Sequence, residues 1–142
     1  FILNLPLDRI SEKFDYVEDE VYIETSVDLK ARFDEIIGVT LDQSKEVEDI
    51  YFAVRKESVD YVRTKWLHTT QIELDSESQA MYKEKYPSLC DHTFFSIECR
   101  ENEELYARFA SYADKAVIVE PSYMRVKLQD KLTKAAESYK NL

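Results

Sequence analysis

Six residues of this chain carry the groups best suited to hold an anion or read the edge of a base: Arg55, Arg63, Lys65, His68, Gln71 and Arg100. Two aromatics, Tyr51 and Phe94, fall among them when the surrounding runs are read as strands. An arginine beside an exposed ring suits stacking on a base together with contact to a phosphate. The same residue types are enriched in subunit interfaces. His68 and Gln71 share one short stretch, where they can read a base or sugar edge or satisfy loop backbone groups. Both pairs of alternatives stay open at this level.

Catalytic chemistry has few candidates. The two cysteines, Cys90 and Cys99, are too few for a disulfide framework. Cys99 falls in an apolar strand pattern and reads as a small core residue. Cys90 and His92 are close in sequence, yet successive strand residues point apart. His68 and His92 have no cysteine or histidine at zinc spacing. The acid clusters at Glu18-Asp19-Glu20 and Glu101-Asn102-Glu103-Glu104 lack the alternating ligands and central glycine of a calcium loop. The second cluster suits a helix start, where the dipole favours negative charge. One glycine in the whole chain leaves no phosphate loop and no nucleophile elbow. The expectation is therefore no enzyme, no metal and no cofactor.

Composition narrows the partners. The 142 residues carry 29 acidic and 19 basic side chains, a net charge of −10. A duplex-reading module normally shows a basic balance, because phosphate neutralisation drives its affinity. Direct reading of duplex DNA is thus not expected. The 44% hydrophobic and 13% aromatic content argues for a packed core rather than disorder. No stretch approaches the roughly 20 apolar residues of a membrane helix. Cysteine usage suggests the reducing cytosol, so a cytoplasmic protein is expected. The chain opens at Phe1 on an apolar, strand-like run and reads as a piece of a longer protein.

These residues must be positioned by a strand–helix alternation. Residues 1–10 read as a terminal strand, and 11–46 as a connecting segment. That segment holds one helix over about Val27–Ile37, with Leu29, Phe33, Ile36 and Ile37 on one face and Gly38 as the helix-ending glycine. From Val47 the pattern is a strand with Ile50, Phe52 and Val54 inward, then a short helix from Ser58 to Lys65. A second strand follows over Leu67–Leu74, then a long polar hairpin connection over Ser76–Asp91. Next come a third strand over Thr93–Arg100, a helix capped by Asn102, the strand Lys115–Glu120, and a last helix over Ser122–Tyr139. That helix carries Leu128, Leu132, Ala135 and Tyr139 as a stripe. The β-α-β-β-α-β order gives an α+β, ferredoxin-like fold for 47–142, with an N-terminal strand and helix arm and a C-terminal helix. Right-handed crossovers put both crossover helices on one face. The other face is left open and should carry Tyr51, Arg55, Gln71, Phe94 and Arg100.

Three segments carry a resemblance. They are Leu5-Pro6-Leu7-Asp8-Arg9-Ile10, then Phe33-Asp34-Glu35-Ile36-Ile37-Gly38-Val39, then Tyr61-Val62-Arg63-Thr64-Lys65-Trp66-Leu67-His68-Thr69-Thr70-Gln71. In this order the chain resembles the C-terminal region of the WYL-domain regulators, bacterial transcription factors. Trp66 stands where proline is usual there, and Thr69-Thr70 where His-Ser is usual. Tyr112-Ala113-Asp114 stands where the family has a Phe-Gly pair, and without glycine that turn cannot use a positive φ as cheaply.

The resemblance implies that residues 1–10 end a WYL domain and that 47–142 are its ferredoxin-like C-terminal extension. It also implies an upstream helix-turn-helix, a homodimer, and an effector groove for a nucleotide or single-stranded nucleic acid. The expected function is the regulatory, dimerising and effector-binding part of a transcription regulator. A free-standing ferredoxin-like module that binds a small molecule or a protein is the alternative.

Overall fold

The structure is a computed structural model that describes residues 7–11, 13, 15 and 18–140. The strand expected over the first ten residues lies mostly outside the described residues, and Leu7–Arg9 form one 3-10 turn. Helix α1 spans Leu29–Phe33, capped by Asp28, whose carboxylate accepts from the Ala31 N–H at 2.9 Å. Then follow β1 (Val47–Arg55), α2 (Val59–Thr64), β2 (Ile72–Glu73), α3 (Ser76–Lys85), β3 (His92–Arg100), α4 (Glu103–Ser111), β4 (Ala116–Glu120) and α5 (Ser122–Lys140).

The four strands form one sheet in the order β2-β3-β1-β4, every neighbour antiparallel. β1 and β3 pair without interruption from Val47↔Arg100 to Arg55↔His92. This is the ferredoxin-like arrangement. Alternation along the strands decides which face is which. Ile50, Phe52 and Val54 of β1, Phe95, Ile97 and Cys99 of β3, and Ala116 and Ile118 of β4 form one buried face. Val59 and Val62 of α2, Leu105, Tyr106 and Phe109 of α4, and Met124 and Leu128 of α5 close over it. At its centre Phe52 stacks on Phe95 at 5.5 Å between ring centroids and meets Phe109 edge-on at 5.4 Å.

The opposite face is not open. The segment expected as an extended hairpin connection folds into α3, which lies across it. Asp75 caps this helix by accepting from the Ser78 N–H at 2.8 Å, and Lys83 and Lys85 suit its last turn. Its polarity hides it in the sequence, because Tyr82 is its one buried residue. That ring stacks on Tyr51 and on Phe94, each at 5.3 Å. Tyr82 with Ala53, Phe94 and Val119 makes a second core, with Tyr51, Leu74, Tyr86 and Leu89 packed against it. Phe94 is fully buried and Tyr51 half-buried. Phe94 is thus not the exposed stacking platform or interface residue expected of it, whereas Tyr51 keeps part of its surface on a cleft of about 400 Å³ with Lys85, Tyr86 and Glu120.

Three other expectations change. The second strand shrinks from Leu67–Leu74 to two residues, because side chains take over its pairing role. The Thr70 hydroxyl donates to the Glu98 carbonyl at 3.1 Å and accepts from the Glu98 N–H at 2.8 Å. Further along β3, the Gln79 amide does the same to Phe94, at 2.9 Å in both directions. The first helix stops at Phe33, so Ile36, Ile37 and Gly38 lie beyond it, and Gly38 is not its terminator. The stripe on α5 is buried only at Leu128. Leu132 is 41% and Tyr139 80% exposed, and Leu132, Thr133 and Ala136 line an open cleft beside Ala116, Val117 and Ile118 of β4 rather than a closed core.

Candidate functional site

Two segments far apart in sequence meet as the walls of one cleft. Phe33, Asp34, Ile36, Ile37 and Gly38 form one wall, and Trp66, Leu67, His68 and Thr69 the other. Arg108 of α4 completes the lining, and the cavity is about 300 Å³. Arg108 also lines a second, adjoining cleft of about 370 Å³ with Ser58, Tyr61, Ser111, Tyr112, Lys115 and Glu57.

The start of α4 builds the first wall. Asn102 accepts from the Leu105 N–H at 2.8 Å as the helix cap, while its amide donates to the carbonyls of Ile37 (2.8 Å) and Thr40 (2.9 Å). Glu104 accepts from the Thr40 hydroxyl at 2.6 Å and its N–H at 3.1 Å. Burial raises the Glu104 pKa, but these hydrogen bonds outweigh it and hold the carboxyl below its ordinary range. Its other oxygen is buried without a hydrogen-bond partner among the described residues. The Arg100 N–H donates to the Glu35 carbonyl at 2.7 Å, and its side chain pairs with the Glu35 carboxylate at 2.7 Å.

The second wall is held from within. Gln71 accepts from the Leu67 N–H and donates to the Val62 carbonyl, both at 3.0 Å. The indole N–H of Trp66 donates to the Arg63 carbonyl at 2.9 Å, yet the residue stays 61% exposed. His68 is buried with Nδ1 2.8 Å from the Thr70 hydroxyl. Burial lowers its pKa, against the opposing pull of the Ile36 and Asp34 backbone and the Asp34 charge.

Of the six polar candidates from sequence, only His68 reaches this cleft. Arg63 is held by Glu73 through two 2.8 Å contacts and by Asp60 at 3.1 Å. Its pKa is raised, chiefly by the Glu73 hydrogen bonds. Arg55 pairs with Asp114 at 3.0 Å, and Arg100 is engaged by Glu35 and the Lys45 carbonyl. Gln71 is spent on its own loop. Lys65 is exposed, with no ion pair among the described residues.

Sequence reasoning missed Arg108. Glu104 stands four residues before it, the spacing of a helix ion pair, and so hides it as an ordinary surface residue. In the fold Glu104 is diverted to Thr40, which leaves the Arg108 guanidinium without an ion pair among the described residues. Lys115 is in the same condition.

Cys99 is poorly placed for nucleophilic work. Burial pushes the Cys99 thiol up to about 12, far from the thiolate that reacts. His92 is buried with Nδ1 2.6 Å from Asp91. No cluster of three or more potential metal ligands occurs among the described residues, and among them no helix is long and apolar enough to cross a membrane. No protein-family model matches this chain, and no curated protein matches it.

Proposed function

We propose that this chain is the effector-binding, regulatory C-terminal part of a cytoplasmic transcription regulator of the WYL type, acting by binding rather than catalysis. Its effector is a nucleotide or a short single-stranded nucleic acid, held in the cleft between the connecting segment and the α2–β2 loop. One observation carries the reading. Parts of the two stretches that resemble the family, 33–38 and 66–69, form opposite walls of a cleft that ends at Arg108, which has no ion pair among the described residues.

The chemistry fits such a ligand. Trp66 and the 36%-exposed Phe33 offer ring surface at the mouth, and base–aromatic stacking contributes about 1–3 kcal/mol per base. Arg108 supplies a planar, permanently charged donor for phosphate. In a chain of net charge −10, a cation without an acidic partner is where an anion is drawn. Dimerisation and an upstream helix-turn-helix belong to the same reading through the resemblance.

Trp66 is the one tryptophan of the chain, so its fluorescence reports on the cleft directly. Titration with a short single-stranded oligonucleotide should change Trp66 emission saturably, and Arg108→Ala should weaken the response. Unchanged emission up to millimolar ligand, with no binding by calorimetry, would remove the reading.

A further inference from the structure

We propose that the adjoining cleft of Ser58, Arg108 and Lys115 binds a phosphate monoester, so that the effector ends in a terminal phosphate there. The proposal rests on the nucleotide reading for the rest of the ligand, but its own site is separately built.

Ser58 is the key residue. It is 8% exposed and stands at the N-cap position of α2 without making a capping hydrogen bond. Its hydroxyl has no side-chain hydrogen bond among the described residues, and it lines the cleft. The hydroxyl opens onto the cleft rather than being sealed in the core, so a ligand oxygen there can reach it. Arg108 and Lys115 line the same space, both without an ion pair among the described residues. Their position near the end of α4 also suits the helix dipole. The dipole favours two cations there, and the cleft sets the open Ser58 hydroxyl beside them as a neutral donor.

Four carbonyls at that helix end already accept hydrogen bonds, which lessens their repulsion of an anion. The Ser111 hydroxyl donates to the Arg108 carbonyl at 2.6 Å. The N–H groups of Tyr112, Ala113 and Lys115 donate to the carbonyls of Phe109, Ala110 and Tyr112, each at 3.0 Å.

Charge selects a monoester over an internal diester. A terminal phosphate carries about −1.5 to −2 at neutral pH, matching two cations, whereas a diester carries one negative charge. Glu57 lines the cleft as well. An acid there disfavours a purely anionic ligand and favours one whose far end donates, such as the amino group of a base. Tyr61 and Tyr112, edge-to-face at 6.3 Å, flank the space a base or sugar would fill.

The test uses the whole chain and one short oligonucleotide in two forms, with a terminal phosphate and with a terminal hydroxyl, titrated by calorimetry and Trp66 fluorescence. The phosphorylated form should bind about tenfold tighter or better, a difference of about 1.4 kcal/mol. Lys115→Ala and Ser58→Ala should each shrink that advantage while leaving the hydroxyl form unaffected. Equal affinity of both forms, with the Trp66 response intact, overturns this inference and leaves the nucleotide reading standing. Phosphate-dependent, Lys115-dependent binding with no Trp66 response supports this site and overturns the reading of the neighbouring cleft. Absence of binding by either form overturns both.

Discussion

Gly38 and Glu104 are in direct contact: a Cβ built on the glycine would fall 2.7 Å from Glu104 Cγ and 2.8 Å from its Cβ. Gly38 also has φ +83°, a region that L side chains enter at a cost. Both demands fix glycine at the point where the connecting segment crosses α4. The connection is thereby pressed onto the domain, and the cleft between them takes its shape.

Gly38→Ala should therefore destabilise the chain by about 2 kcal/mol or more, from backbone strain plus displacement of Glu104. Urea unfolding checks this. The variant should also loosen the Thr40–Glu104 hydrogen bonds, which faster amide exchange at Val39 and Thr40 would report.

Phe94→Ala should cost about 3–5 kcal/mol, the range for truncating a buried large aromatic. The ring is fully buried under Tyr82. Were it an exposed interface residue, the variant would be as stable as wild type and differ only in oligomeric state. Denaturant midpoint and light scattering, measured together, separate the two.

Much of the architecture was legible because strand alternation is a two-residue signal. The β1 and β3 faces follow directly from Ile50-Phe52-Val54 and Phe95-Ile97-Cys99. The Asn102 cap was legible for the same kind of local reason. The helix α3 was not, since its single buried residue gives no 3.6-residue stripe. Missing it left one sheet face uncovered and assigned Tyr51 and Phe94 to it. The site was less legible still. The arginines with the most suggestive neighbours in sequence, Arg55, Arg63 and Arg100, are the ones that the fold neutralises with Asp114, Glu73 and Glu35. The positive φ of Ala113, +52°, shows the turn after α4 adopting a glycine-like conformation without glycine.

Glu101 should govern acid stability. Burial raises its pKa, but hydrogen bonds from Lys127 (2.5 Å), Lys45 and Tyr106 (2.6 Å) outweigh it and lower the value to about 2. Lys45 lies 2.8 Å from its other oxygen, and the carboxylate is 3% exposed. A depressed carboxylate contributes stability that is complete above the ordinary value of 4.5 and lost as pH falls towards 2. Thermal unfolding should weaken steadily from about pH 5 downward, and Glu101→Gln should flatten that slope while lowering stability at neutral pH.

His68 acts in a higher window. Its pKa is lowered by burial, so the unfolded chain binds the proton more readily. The stability this confers is full above the ordinary imidazole value of 6.5 and declines as pH falls below it. A His68→Gln variant should show a shallower stability loss between about pH 7 and 5 than wild type, measured by chemical denaturation at each pH.

The most direct test sets Arg108 against Arg63 in oligonucleotide binding at several salt concentrations. Arg63 is already neutralised by Glu73 and Asp60, whereas Arg108 lines both clefts. Arg108→Ala should weaken binding about tenfold and reduce the slope of log affinity against log salt by about one. Arg63→Ala should leave both within about twofold of wild type. The reverse pattern, with Arg63→Ala abolishing binding and Arg108→Ala leaving affinity and salt slope unchanged, would contradict the account.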